Sequence, residues 1–164
     1  MRTTAGLELS DARLLRAAFG VALRAREDGN LPFGCVIADG EGRIVIERAN
    51  AVLLPVRDAT AHAEAVAAGI AARRYEPSEL VGFTLYTNAE PCAMCAGAIY
   101  WSGIGRVVYG LEERDLLALT GNHPDNPTMD LPCREVFAKG QRRVEVIGPE
   151  LVDEALRVFA GYWS

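Results

Sequence analysis

The sequence predicts one α/β domain, a five-stranded mixed sheet with helices on both faces. Three observations predict it. Residues 83–110 read as strand, helix and strand, and two strands joined through a helix run parallel in a right-handed crossover. Residues 35–47 hold two short β-like runs separated by "DGEG", a hairpin signal that adds antiparallel strands. Amphipathic stretches on either side supply covering layers. The 164 residues are half apolar and 24% charged, enough for one core, so residues 1–164 are expected to form a single domain.

The elements follow in order. Ser10 precedes a stretch whose Leu14, Leu15, Ala18, Phe19, Ala22 and Leu23 share one helical face, ending at Asp28-Gly29-Asn30. Cys35 to Ala38 and Arg43 to Glu47 read as the hairpin strands. Thr60 can cap a second helix, "AHAEAVAAGIAARRY", that stops before Pro77. "FTLYT" reads as a buried strand. Pro91 suits the first turn of a helix over 91–102, and "RVVYG" is the next strand. "LEERDLLALTG" predicts a short helix, "NHPDNPTMD" a loop, residues 132–139 another short helix, "RVEVIG" the fifth strand, and the chain closes in a helix from Pro149. No repeat, low-complexity tract or linker interrupts the pattern.

Composition narrows the function. The net charge is −5, from 22 acidic and 17 basic side chains, and Lys139 is the only lysine. A protein that grips a nucleic-acid backbone neutralises several phosphates with clustered cations. Only Arg73-Arg74 and Arg142-Arg143 are adjacent pairs here, so a small-molecule partner is expected and nucleic acid is not. No apolar run reaches the length of a membrane span. The leading "MRTTAGLELSD" lacks the apolar core of a secretory signal, so a cytoplasmic location is expected. In a reducing compartment, four cysteines point to metal binding or catalysis ahead of a disulfide framework.

The chemistry gathers in two segments. His62 and Glu64 open the second helix in "TAHAEA", and Cys92 and Cys95 open the third in "EPCAMCAGA". Cysteines three apart on a helix share a face and can share a metal. A helix N-terminus lowers a thiol pKa and favours the thiolate that zinc needs. One imidazole and two thiolates leave the fourth tetrahedral position open, as in catalytic zinc sites. Glu64 lies about 200° round the helix from His62, so it is expected beside the metal as a proton carrier and not as a ligand. Three other readings stay open: a C-x-x-C redox pair, a closed structural zinc with His123 or Cys133 as fourth ligand, and a binding protein without turnover. The redox pair explains neither His62 nor Asn50. Otherwise Cys35 and Cys133 read as inert buried thiols, and His123 as a solvated loop residue.

The pattern H-x-E followed by P-C-x-x-C resembles the zinc deaminase signature. From Leu31 to Gly110 the chain resembles the cytidine-deaminase-like superfamily of zinc-dependent nucleobase and nucleoside deaminases. The resemblance implies a three-layer α/β/α fold, Zn2+ held by His62, Cys92 and Cys95, water as co-substrate, and Glu64 as the proton shuttle. It also implies substrate contacts at Phe33 in "PFGCVI", at Asn50 in "ERAN" and at Ala63. Trp101 and Tyr162 are candidate aromatic walls of the pocket. The chain is similar both to guanine deaminases, through "AIYW" and an acid near Asp115, and to tRNA-specific adenosine deaminases, through "TAHAE" and "EPCAMCAGA". It lacks the basic C-terminal end of the latter and finishes in "FAGYWS". Guanine is therefore the expected substrate, with Asp115 first and Glu113 second as the acceptor of its ring donors. Adenosine in tRNA, cytosine and nucleosides are the alternatives. A homodimer is expected, as for other members that resemble this chain.

Overall fold

The structure is a computed structural model that describes residues 7–121 and 123–163. Met1 to Gly6 of the leading segment, Asn122 of the Pro-rich loop and Ser164 of "FAGYWS" lie outside the described residues. The element order is α1 (Leu9–Glu27), β1 (Gly34–Ala38), β2 (Ile44–Ala49), α2 (Ala63–Arg74), α3 (Pro77–Leu80), β3 (Thr84–Ala89), α4 (Ala93–Ser102), β4 (Arg106–Leu111), α5 (Glu113–Thr120), α6 (Cys133–Ala138), β5 (Glu145–Ile147) and α7 (Val152–Phe159).

The five strands lie in the order β2-β1-β3-β4-β5. β1 pairs antiparallel with β2 and with β3, whereas β3, β4 and β5 run parallel. β1 and β3 are buried along their whole length, as strands covered on both faces must be. One layer packs α1 and α7 onto Val36, Tyr86 and Val108. The other packs α2, α4 and α6 onto Ile37, Leu85 and Val107. Successive strand residues thus feed opposite cores, which is the period-two rule acting in a central strand. Gly34 sits where α1 crosses β1 so closely that a Cβ would overlap the backbone of Val21 and Ala22. This is the expected three-layer α/β/α architecture.

Several boundaries differ from the sequence reading. Thr60 does not cap α2; its amide and hydroxyl donate to Asp58 Oδ1, and His62 takes the N-cap position. Pro91 precedes α4, whose N-cap is Cys92. Pro77 starts α3 as well as stopping α2, because Glu76 and Glu79 form a capping box around it. Among the described residues, no helix is long and apolar enough to cross a membrane.

Candidate active site

The parallel pair β3 and β4 ends in register, Ala89 opposite Leu111, and the Glu90 amide extends the ladder to Leu111 O at 2.7 Å. The chain turns into α4 and α5 from this one edge. α2 begins on the same side, because the turn held by Asp58 and the bond from Ala51 N to Ala61 O bring His62 over the strand ends. Three helix starts therefore surround one space. That space is a cavity of about 170 Å³ lined by Phe33, Asn50, His62, Glu64, Cys92 and Glu113, with residues 126–129 on its outer side.

The ligating atoms of His62, Cys92 and Cys95 all lie within 4.8 Å of one another. His62 Nδ1 is 3.6 Å from Cys92 Sγ. A tetrahedral zinc with Zn–S of about 2.3 Å and Zn–N of about 2.0 Å separates its ligands by about 3.5–3.8 Å, so this donor set fits zinc. The Cys92 thiol is pulled well below the usual thiol range, chiefly by the hydrogen bond from Cys95 and then by His62, which favours its thiolate. Cys95 is pushed up by that same bond and by burial. The Cys92 bond raises the His62 pKa. All four cysteines are free thiols.

Glu64 is 5% exposed. Its Oε1 accepts from Thr87 Oγ1 at 2.5 Å, and its Oε2 lies 3.6 Å from Cys95 Sγ. Burial raises its pKa against the opposing Thr87 bond. The carboxyl thus stands beside the three ligating residues while facing the cavity. Thr87 was not singled out from sequence; its place in "FTLYT", one strand position from the core-facing Tyr86, carried no signal of a partner.

The remaining expected residues divide. Asn50 is 3% exposed and lines the cavity. Its Oδ1 accepts from Val52 N at 3.0 Å, and its amide NH2 has no partner among the described residues, so it presents a donor. Phe33 lines the cavity and packs on Phe159 and Trp163 with centroids 5.5 and 6.1 Å apart. Behind it, the buried Asn88 accepts from Gly34 N and donates to Pro32 O, clamping both neighbours of Phe33. Glu113 is 4% exposed and lines the cavity; burial, then the charges of Cys92, Glu90 and Glu64, push it up to about 8.

Four residues fall outside the cavity. Asp115 is exposed on α5, because the helix starts at Glu113 and turns about 200° over two residues. Trp101 is 85% exposed on the outer side of α4, edge-on to Tyr100. Tyr162 rests against Trp163 and under Arg26 and donates to Asn30 O at 3.4 Å. Ala63 is buried beside His62 without lining the cavity. Neither His123 nor Cys133 joins the ligating group. His123 Nδ1 accepts from Asp125 N, and the Cys133 amide donates to Glu90.

Residues 9–111 match the family model described as the cytidine and deoxycytidylate deaminase zinc-binding region. The chain belongs to this zinc-dependent deaminase family. It is 38% identical to a probable cytosine deaminase of Schizosaccharomyces pombe over 158 residues, 96% of this chain and 95% of the relative. It is 43% identical to the guanine deaminase of Bacillus subtilis over 84 residues, 51% of this chain and 53% of that one. A solved chain from a study of A-to-I editing by tRNA:A34 deaminases superposes with a TM-score of 0.68 at 24% identity, covering 90% of this chain and 99% of its own. The protein is thus a zinc-type deaminase, a hydrolase acting on C–N bonds of nucleobases.

Proposed function

We propose that the protein hydrolytically deaminates a free nucleobase, with cytosine as first substrate, releasing ammonia and forming uracil. One observation carries the deaminase chemistry: the buried Glu64 carboxyl lines the cavity 3.6 Å from the Cys95 sulfur while standing outside the His62, Cys92 and Cys95 group. His62, Cys92 and Cys95 would hold Zn2+. When bound, zinc supplies a Lewis acid that lowers the pKa of a water in the cavity. Glu64 takes one proton from that water and gives it to the ring nitrogen as the water oxygen bonds to the amine-bearing carbon; it then takes the second proton from the new hydroxyl and delivers it to the amine as the C–N bond breaks and ammonia leaves, serving as base and acid in turn. Thr87 keeps one oxygen of Glu64 fixed so that the other is free to carry the proton.

Asn50 and Glu113 account for the rest of the ring. The Asn50 NH2 donates to the ring carbonyl, and Glu113 offers an acceptor for a ring N–H. Cytosine presents that pair, O2 and N1–H, on the edge away from its amine. A cavity of about 170 Å³ suits a single ring; it is smaller than the ~300–1,000 Å³ usual for drug-sized ligands. The end-to-end similarity to a probable cytosine deaminase supports the same reading.

Guanine is the second reading, favoured by the 43% identity to a guanine deaminase and by Glu113 standing where a carboxylate was expected at Asp115. An acidic chain with one lysine makes tRNA a poor partner. Ammonia release from cytosine, guanine, cytidine and a tRNA anticodon stem-loop tests the assignment. Turnover of cytosine is expected to exceed the others. Inosine formed in the stem-loop with both bases untouched would overturn it.

A further inference from the structure

Glu90 has no part in the chemistry above, yet it is 6% exposed and lines the cavity. Both of its carboxylate oxygens are occupied by backbone amides from distant places. Oε2 accepts from Glu113 N at 2.9 Å, and Oε1 accepts from Cys133 N at 2.8 Å. Those two amides are the roots of a single excursion of the chain. Between them run α5 and the loop whose residues 126–129 close the outer side of the cavity.

The loop has little else to hold it. Thr120 Oγ1 meets Thr128 Oγ1, Asn126 Nδ2 donates to Thr128 Oγ1, and Asn126 N donates to His123 O. Among the described residues, every hydrogen bond made by residues 121–132 stays inside the segment from 113 to 136. The side chains of α5 add Leu116, packed on the α1 side of the sheet. Beyond that packing, the position of the roof and of Glu113 is set where the segment leaves and rejoins the body.

We propose that Glu90 is a positioning residue that fixes both roots of segment 113–133 and thereby sets the Glu113 carboxyl and the roof over the substrate. A carboxylate suits the task because it accepts on both oxygens and donates on neither. Its bonds to backbone amides are charge-assisted, and so stiffer than those of an amide side chain. Its own backbone is locked into the strand end through Leu111, so the anchor does not drift. Substrate recognition is the part of this inference that rests on the deaminase reading; the anchoring of the segment does not.

Two variants test it. Glu90→Gln keeps one acceptor and turns an NH2 toward a backbone N–H. Cys133→Pro leaves Glu90 intact and deletes the amide donor to Oε1, together with the Cys133 thiol that also bonds the carboxylate, at the first position of α6, where proline is tolerated and where Pro132, at φ −56° and ψ 141°, already has the backbone that a following proline needs. Limited thermolysin digestion of the zinc-loaded protein is the first readout, with cleavage mapped by mass. Faster cutting within residues 121–132 in both variants supports the anchoring, and cutting at the parental rate in both overturns it, whatever the activity. The second readout is kinetic. Glu90→Gln is expected to raise KM about tenfold with kcat nearly unchanged and zinc still near one per chain, as loss of a charge-assisted bond in ground and transition state alike requires. Combined with Glu113→Gln, it should add almost nothing to KM, because the two act in series. Independent, multiplying effects would show that Glu90 does not work through Glu113. Should the parent turn over no base at all, the functional reading fails while the digestion still decides the anchoring.

Discussion

The amino-terminal and carboxyl-terminal ends of β3 and β4 both bury carboxyl groups, and they surround them differently. At the amino-terminal end Asp11, 4% exposed, receives two bonds from Arg106 at 2.8 Å each and one from Tyr86 at 2.7 Å. At the other end Glu64 and Glu113, exposed to 5% and 4%, form no ion pair with lysine or arginine among the described residues. The ionisations follow. The Arg106 bonds hold Asp11 below the usual carboxylate range, whereas burial lifts Glu64 and Glu113 above it. Equal burial with opposite partners separates a carboxylate that secures the fold from ones kept poised to exchange protons or meet a ligand.

The sharpest way to break this contrast is at Glu64. Glu64→Gln retains the Thr87 bond and the shape of the side chain but cannot carry a proton. We expect kcat to fall by roughly 10²–10⁴ with zinc content unchanged and thermal stability undiminished. Metal analysis and ammonia release on the same sample check this. Near-parental turnover would reassign the proton carrier.

Asp11→Asn tests the opposite end. It leaves Arg106 with one ion pair, the longer contact to Glu145 at 3.3 Å, beside the Tyr86 hydroxyl at 3.5 Å, so unfolding free energy should drop by about 3 kcal/mol with kcat unaltered at 25 °C. The pH dependence has a definite sign. Because the folded-state pKa of Asp11 is depressed, its contribution is complete above its unfolded value of about 3.9 and is lost as pH falls through the folded value. Urea unfolding curves of parent and variant should therefore stand apart at pH 7 and converge below about pH 4. A gap that persists in acid would make the Asp11 contribution one of packing and not of charge.

The sequence disclosed what is local and periodic. Helix faces, the strand-helix-strand unit and the metal-ligating pattern all depend on spacings of two to four residues, and His62, Glu64, Cys92 and Cys95 sit in such spacings. Contacts made by side chains onto remote backbone leave no period. Glu90 and Asn88 hold amides and a carbonyl 23 to 56 residues away, and nothing near them in the chain announces it. Phase separates Asp115 from Glu113: both precede the apolar part of α5, and only the starting residue of the helix decides that Glu113 lines the cavity and Asp115 does not. Trp101 illustrates the same limit, since Ile99 and Trp101 differ by two positions and point to opposite sides of α4.

Glu113→Gln sharpens the comparison within the site itself. If its carboxyl receives a ring N–H, the amide loses the charge-assisted bond that the ionised carboxylate makes above about pH 8, so KM for the base should rise about tenfold at pH 9 with kcat little changed, and by less at pH 7. Asp115→Asn, on the exposed side of the same helix, is the control and should match the parent. Equal effects of the two variants would place neither at the substrate.

The smallest effect is expected at Trp163. Its Nε1 is shut off from solvent and has no hydrogen-bond partner among the described residues, and its ring packs on Phe33, the wall of the cavity. Unsatisfied polar groups thus gather on the site side of the sheet, while Asp11, Tyr86 and Arg106 satisfy one another at the other end. An unpaired buried N–H costs about 1–3 kcal/mol, and exchanging indole for phenyl forfeits a similar amount of packing. Trp163→Phe keeps an aromatic ring between Phe159 and Phe33 and removes the orphan donor. The two changes should nearly cancel, leaving stability within about 1 kcal/mol of the parent, a shift of roughly 2–4 °C in Tm at most. Trp163→Ala keeps neither and should cost about 3 kcal/mol. Calorimetry of the pair decides the point: if the phenylalanine variant falls as far as the alanine one, the indole N–H has a partner in solution and the asymmetry between the two ends narrows to the carboxyl groups alone.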